Sequence, residues 1–323
     1  MIEEKSLKNS NARNIEKIEK IGIIGAGAYG TALAQCFAKR VQDIVLVNDI
    51  SAAVEEINEK HTLEKALPGV QLNPILRGTV NFDDLADCDL IFAVVPAKAI
   101  AAVCEKLKER KFLQPIVICS KGIDLENLQT TAALAEKLVK NEVVVLSGAS
   151  FAKEIASGLD AAVNVASKNF ELAEFVANSL SSEHFRLIAI EDYVGLQIAG
   201  AFKNVLAIGC GILRGQKSGA SAAAAFMVDG LGEIIEIAEA FGGKKDTFFA
   251  VGGIGDIILT CTDKQSRNVS FGMHLATGGN VQNWTGALAE GVFAAQAIPR
   301  LEKKLGLKLP NLRKVYEAVG EVK

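Results

Sequence analysis

Three places in this 323-residue chain combine residue types and spacings that can do chemistry. Lys203 is the only charged residue between Asp192 and Arg214. Burying an ammonium in so apolar a helix is costly unless it lines a cleft or meets a partner. A lysine held that way can have a lowered pKa and exchange protons near neutral pH. A stem that snorkels its head to water fits the same pattern equally well. Asp256 stands alone among glycines and apolar residues in GGIGDIILTCT, residues 252–262, and a nearby cation or a substrate hydroxyl would justify its burial. Ser266, Arg267 and Asn268 follow it. A guanidinium fork between short polar side chains suits a phosphate group; the plainer alternative is a solvated turn that caps the next helix.

A fourth constellation is GAGAYG, Gly25–Gly30. Gly25 permits a tight turn, Gly27 lets the backbone approach a pyrophosphate, and Gly30 allows close packing of helix on strand, while the helix N-terminus offers unpaired N–H donors. The pattern alone is weak. Here a β run precedes it, a helical pattern (Thr31–Arg40) follows it, and the polar pair Asn48 and Asp49 ends the next strand, which is the context a dinucleotide site requires. Two loops complete the set. CSKG carries Lys121, and LSGASFAKE carries Gly148 and Ser150, each just beyond a predicted strand; in an open α/β sheet such loops face the ligand crevice.

The elements that must position these residues change texture along the chain. Apolar, β-branched runs at Ile21–Ile24, Ile44–Val47, Leu90–Val95, Ile116–Cys119 and Val143–Leu146 predict strands covered on both faces. Helix-length segments separate them, and Ala161–Ala166 and Phe185–Ile190 extend the series. From about Glu191, Ala/Leu/Ile/Gly stretches with helical spacing take over. The expectation is an α/β protein: a Rossmann-type, doubly wound, mostly parallel sheet followed by an all-helical C-terminal domain. The expected division is an N-terminal extension over 1–18, a dinucleotide-binding domain over 19–190 and a helical substrate and catalytic domain over 191–323. The stretch Ile21–Ala38 is as long as a membrane span, but its glycines favour strand, turn and helix.

Composition removes other classes. Half the residues are hydrophobic, 23% are charged and the formal charge is −3, so disorder and a polyanion-binding surface are not expected. The cysteines Cys36, Cys88, Cys104, Cys119, Cys210 and Cys261 are scattered in mostly apolar runs and read as reduced core residues of a cytoplasmic protein. His61, His184 and His274 lie far apart, without HExxH or Cys/His grouping, so no metal site is expected. Neither a Walker A motif nor a GxSxG nucleophile is present.

In order, GAGAYGTALA, AVVPAKAI, SKGI, SGASFAKE, GAFKNVLAIGCGI, GIGDIILTCTDKQSRN and AEG resemble the blocks of bacterial NAD(P)-dependent glycerol-3-phosphate dehydrogenases, over nearly the whole chain. The resemblance implies reversible hydride transfer between nicotinamide and C2 of sn-glycerol 3-phosphate, with dihydroxyacetone phosphate as the ketone, supplying glycerol 3-phosphate for phospholipid synthesis. By the same resemblance Lys203 is the catalytic lysine. Lys121, Gly148, Ser150, Asp256, Ser266, Arg267 and Asn268 contact substrate. Ala28, Tyr29, Lys121, Ala152, Arg267 and Glu290 join Gly25, Gly27, Gly30, Asn48 and Asp49 around the cofactor. Three positions depart from the family pattern: Ala149 stands where proline is usual, Gly219–Ala224 replaces a block that carries asparagine, and Asp229 replaces an arginine.

The cofactor is expected to be NAD or NADP. NAD is preferred, because an acidic residue after the second strand suits a free ribose 2′-OH and repels a 2′-phosphate. Arg40 and Lys60 are the cations that could fold back toward that ribose. The partner is a small phosphorylated substrate, with a homodimer as the candidate assembly; nucleic acid and membrane insertion are not expected. Two rivals remain: a two-domain reductase of the ketopantoate reductase or hydroxyacid dehydrogenase type, and a non-catalytic dinucleotide-binding sensor.

Overall fold

The computed structural model describes residues 16–287 and 289–322, so most of the expected N-terminal extension lies outside the described residues. The described chain forms two compact units: the chain up to Ser120 with Ala132–Leu146 and Ser150–Tyr193, and Lys121–Thr131 with Ser147–Ala149 and Val194 onward.

The first unit is built on β1 (Lys20–Ile24), β2 (Asp43–Val47), β3 (Leu76–Thr79), β4 (Leu90–Ala93) and β5 (Ile116–Ile118). The second unit contributes a two-stranded hairpin, β6 (Ile123–Asp124) and β7 (Gln129–Thr130). The main sheet is completed by β8 (Val143–Ala149), β9 (Ala161–Ser167) and β10 (Phe185–Ile190), in the order β10-β9-β8-β5-β4-β1-β2-β3. The six strands from β3 to β8 in that order pair in parallel, as do β9 and β10. Parallel strands need crossovers on both faces, and these are supplied by α1 (Ala28–Phe37), α2 (Ser51–Lys60), α3 (Ile100–Glu109), α4 (Thr131–Leu138), α5 (Ala152–Ala156) and α6 (Phe170–Leu180). Ile21, Ile23, Ile44, Leu46, Leu90 and Phe92 are fully buried beneath them, which is why these strands read as unbroken apolar runs. The topology reverses between β1 and β4, the switch point where such sheets bind ligands.

The expected strands are present, although two end earlier than the sequence suggests and β8 runs on to Ala149, which brings Gly148 inside the strand. The sequence reading missed β3. Its residues, LRGT, carry an arginine and a glycine and lie at the sheet edge. Asn58 covers that edge: its Nδ2 donates to the Gly78 carbonyl (3.0 Å) and its Oδ1 accepts from the Gly78 N–H (2.7 Å). The membrane alternative at Ile21–Ala38 fails, because the segment is β1, a turn and α1.

The helices of the second unit are α7 (Tyr193–Gly215), α8 (Ala220–Ala240), α9 (Asp256–Thr262), α10 (Arg267–Ala276), α11 (Glu290–Ala295), α12 (Ile298–Leu305) and α13 (Pro310–Val319). α7 is long and apolar enough to cross a membrane, but 89% of its most apolar window is buried; it is the core helix of this unit. Glu233 of α8 caps α13, accepting from the N–H groups of Asn311 (2.7 Å) and Leu312 (2.9 Å), where a carboxylate also meets the positive end of the helix dipole. Arg300 and Lys304 donate to the Glu126 and Leu128 carbonyls (3.1 and 3.2 Å) and pin the hairpin to α12.

Candidate active site

The glycine loop of the first unit has the form its spacing predicts. Gly25 adopts φ +101°, and a Cβ there would lie 2.3 Å from the Val94 carbonyl oxygen. A Cβ on Gly30 would strike the Gly25 carbonyl oxygen at 2.2 Å, whereas one on Gly27 would meet nothing within 4 Å. The first and third glycines are therefore required for packing, and the second leaves open space at the N-terminus of α1, where no side chain caps the helix. That is a cradle for an anion.

Beside it lies a cavity of about 810 Å³, lined by Gly25, Gly27, Asn48, Asp49, Val80 and Val103 among others. Its size and apolar walls fit the adenosine half of a dinucleotide. Asn48 is engaged at both ends of its carboxamide, donating to the Ala26 carbonyl (3.0 Å) and accepting from the Ile50 N–H (3.0 Å). It fixes the β2–α2 loop to the glycine turn, and Asp49 beside it is exposed and lines the cavity. Arg40 is turned to the Ser179 carbonyl (3.2 Å), and the cavity cations are instead Lys65 and Lys106, which the sequence reading did not single out. Tyr29 and Ser150 share a hydrogen bond of 2.9 Å, and Ala152 opens α5.

The second unit assembles the charged residues. Lys203 is only 5% exposed and Asp256 1%. The Lys203 Nζ donates to Asp256 Oδ1 and to Thr260 Oγ1, the latter at 2.7 Å. Lys121 Nζ donates to the other Asp256 oxygen (2.9 Å) and more weakly to the Gly148 carbonyl (3.4 Å). One buried carboxylate therefore bridges two ammonium groups, which resolves the choice left open for Lys203 in favour of a partnered lysine. Burial pulls the Lys203 pKa down to about 8; Asp256 opposes that, and Lys121 adds to it. Burial works against the Asp256 carboxylate, yet Lys121 and Lys203 outweigh it and keep its pKa below the usual range. A group with a pKa so lowered can exchange protons near neutral pH, the condition that acid–base chemistry sets.

Around it runs a carboxamide chain. Asn204 Nδ2 donates to Glu290 Oε2 (3.3 Å), Asn268 Nδ2 donates to Asn204 Oδ1 (3.0 Å), and Asn268 Oδ1 accepts from the Gly291 N–H (3.0 Å). Ser266 caps α10 by accepting from the Val269 N–H (3.4 Å). Within the Ser-Arg-Asn triplet, Ser266 and Asn268 are buried with their side chains engaged inside the protein, while Arg267 is exposed. Thr260 and Asn204 were missed in the sequence. Thr260 carried a signal, since it lies one helical turn beyond Asp256 and so on the same face of α9.

Comparison with known proteins agrees with this architecture. The sequence profile of the NAD-dependent glycerol-3-phosphate dehydrogenase N-terminus matches residues 20–173, and that of the C-terminus matches residues 192–323. The glycerol-3-phosphate dehydrogenase [NAD(P)+] of Caulobacter vibrioides is 39% identical over 94% of this chain and 92% of its own. That of Maricaulis maris is 38% identical over 95% and 93%. Among solved structures, glycerol-3-phosphate dehydrogenase from Coxiella burnetii superposes with a TM-score of 0.87 at 30% identity, covering 93% of this chain and 94% of that one. The chain belongs to the NAD(P)-dependent glycerol-3-phosphate dehydrogenase family, oxidoreductases acting on a secondary alcohol.

Proposed function

We propose that the enzyme interconverts sn-glycerol 3-phosphate and dihydroxyacetone phosphate with Lys203 moving the proton at the C2 oxygen. The observation that carries this reading is a buried lysine with a pKa near 8, held by Asp256 and Thr260. In reduction, protonated Lys203 donates to the oxygen as the carbonyl becomes an alkoxide; in oxidation, neutral Lys203 takes the hydroxyl proton. Asp256 keeps the ammonium oriented and partly offsets its desolvation. Lys121 adds positive charge beside the developing alkoxide.

Arg267 holds the phosphate as a fork. Ser266 and Asn268 contribute by fixing the start of α10, and Gly148 and Ser150 by backbone and hydroxyl contacts to substrate. Bound NAD(P) supplies or takes up the hydride. Gly25, Gly27, Ala28, Tyr29 and Gly30 receive its pyrophosphate, Asp49 its ribose, and Ala152 and Glu290 border it.

The location is read as cytoplasmic, which accords with six cysteines that form no disulfide. A homodimer and a role in supplying phospholipid synthesis complete the reading. The deciding assay is NADH consumption on adding dihydroxyacetone phosphate, with ketopantoate and dihydroxyacetone as controls. Turnover of the phosphorylated ketone well above both controls supports the proposal, and faster turnover of ketopantoate overturns it.

A further inference from the structure

The turn of the β6–β7 hairpin is held from outside by one helix. Four residues lie between Asp124, which ends β6, and Gln129, which begins β7, and the carbonyl of each accepts a hydrogen bond from α12. Arg300 donates through Nη1 to Leu125 and through Nη2 to Glu126 (3.1 Å), and Lys304 Nζ donates to Asn127 (3.3 Å) and Leu128 (3.2 Å). The two cations are four residues apart and so share a face of α12. Helix electrostatics does not account for the pair: Lys304 suits the last turn, but Arg300 stands in the first, where the dipole disfavours a cation. Both residues are exposed, and such hydrogen bonds add only modestly to stability. What they fix is geometry.

Lys121 lies two residues before β6 on the same hairpin arm, and its ammonium shares the Asp256 carboxylate with Lys203. We propose that Arg300 and Lys304 are positioning residues for the reaction: by seating the hairpin turn on α12 they hold Lys121 against Asp256, and so set the charge that Lys203 meets. This rests on the reading of Lys203 as the proton-transfer group and extends it to a helix that contributes no group to the Lys203–Asp256–Lys121 cluster.

The hairpin can transmit such a hold because it is stiff. Its strands pair Ile123 with Thr130 and Asp124 with Gln129. The Asp124 carboxylate gathers the turn, accepting from the N–H groups of Glu126 (3.1 Å) and Asn127 (3.3 Å) and from the side chains of Asn127 (2.9 Å) and Gln129 (3.0 Å). At the base, Thr131 Oγ1 accepts from Gln197 Nε2 of α7 (2.8 Å), so base and turn are anchored to different helices. Ile123 and Leu128 are buried in the core of the unit, but apolar burial is non-directional and leaves the tilt of the hairpin free. Leu128 also adopts φ +49°, a left-handed backbone that a branched side chain resists, and the Lys304 bond to its carbonyl holds it there.

Releasing the turn has a consequence of definite sign. Lys203 is faced from α9 by the Asp256 carboxylate and the Thr260 hydroxyl, and the hairpin arm brings the Lys121 ammonium to the same carboxylate. Asp256 favours the charged form of Lys203 and Lys121 disfavours it. A Lys121 that swings away takes its repulsion with it and leaves the whole carboxylate to Lys203, which then keeps its proton to higher pH. Removing Asp256 itself would move Lys203 the opposite way, so the direction of the shift tells the two perturbations apart.

The test compares the wild-type enzyme with the double variant Arg300→Met, Lys304→Met, which keeps apolar stems and removes both cations, and with Lys303→Met, which removes a neighbouring exposed cation of α12. Two readouts are taken: the pH profile of kcat/KM for ketone reduction, and an NMR titration of isotope-labelled lysine side chains, which reads the Lys203 pKa without turnover, its signal assigned by its loss in Lys203→Arg. The double variant should titrate Lys203 at least about half a pH unit higher, move the alkaline decline of kcat/KM the same way, and lose about tenfold in kcat/KM near neutral pH. Lys303→Met should match wild type, and Arg300→Lys should retain most of the wild-type behaviour. If the double variant melts early, Arg300→Met alone carries the same expectations at smaller size. A Lys203 titration that stays in place or moves lower, or an equal shift in Lys303→Met, overturns the proposal. A titration that moves while the rate profile stays put supports the seating of Lys121 and refutes the proton-transfer role instead, so the two ideas fail separately.

Discussion

Replacing Asp256 with asparagine removes one buried negative charge while keeping the side chain's size, and its consequence can be worked from the contacts. Two ammonium groups, Lys203 and Lys121, bond to that carboxylate. Unit charges about 4 Å apart at an effective dielectric of about 20 interact by about 4 kcal/mol, and one pH unit corresponds to about 1.4 kcal/mol, so the loss is at most about three units. The influences left on Lys203, burial and repulsion from Lys121, both lower its pKa from about 8. A fall of at least about one unit is expected.

Reduction needs protonated Lys203, so wild-type kcat/KM for dihydroxyacetone phosphate should decline as pH rises through about 8. In Asp256→Asn that decline should begin near pH 7 or below, costing about fivefold at pH 8 from protonation alone. The oxidation limb should move the same way, because neutral Lys203 appears at lower pH. The assay is kcat/KM in both directions from pH 6 to 10, on protein whose folding is first checked by thermal melting, since breaking a buried pair costs about 3–5 kcal/mol. A reduction limb that stays in place or moves to higher pH refutes the proton-transfer role.

Lys203→Ala should lower kcat by at least about a hundredfold with little change in NADH affinity; near-normal kcat would count against the assignment. Arg267→Ala should penalise dihydroxyacetone phosphate much more than dihydroxyacetone in kcat/KM, and equal losses on the two ketones would place Arg267 elsewhere. NADH should be preferred to NADPH, and Asp49→Ala should narrow the gap; a higher kcat/KM with NADPH at the same ionic strength would show that Lys65 and Lys106 outweigh Asp49 in the cavity they share. Gly27→Val should raise the KM for NADH with a nearly unchanged melting temperature, because its side chain enters open space. Gly30→Ala should lower the melting temperature, because its Cβ meets the Gly25 carbonyl.

What the sequence made legible is what local chemistry determines. Strands buried on both faces show as β-branched runs, and a glycine loop between strand and helix declares its turn. The edge strand β3 was invisible because LRGT is no β-branched run, and what holds it, pairing with β2 and the Asn58 carboxamide on Gly78, lies elsewhere in the chain. Lys203 could be seen as an anomaly but not resolved, since what separates a snorkelling lysine from a partnered one is Asp256, and pairing across 53 positions leaves no periodic trace. Asn268 shows a different case: its residue type suggests ligand contact, and the sequence gives no sign that both ends of its carboxamide also hold Asn204 and α11 in place.

The burial of α7 has a consequence for how the protein is made. A segment with a mean hydropathy of 1.5 over its most apolar window leaves the ribosome before any of α8 to α13 exists to cover it. Val315 of α13 packs beside Gly209 of α7 and Leu312 is fully buried, so part of that cover arrives only with the last helix. Translation of this enzyme therefore passes through an interval in which α7 lacks part of its cover, and chains stopped short of α13 are expected to aggregate through that exposed face rather than persist as weakened enzyme.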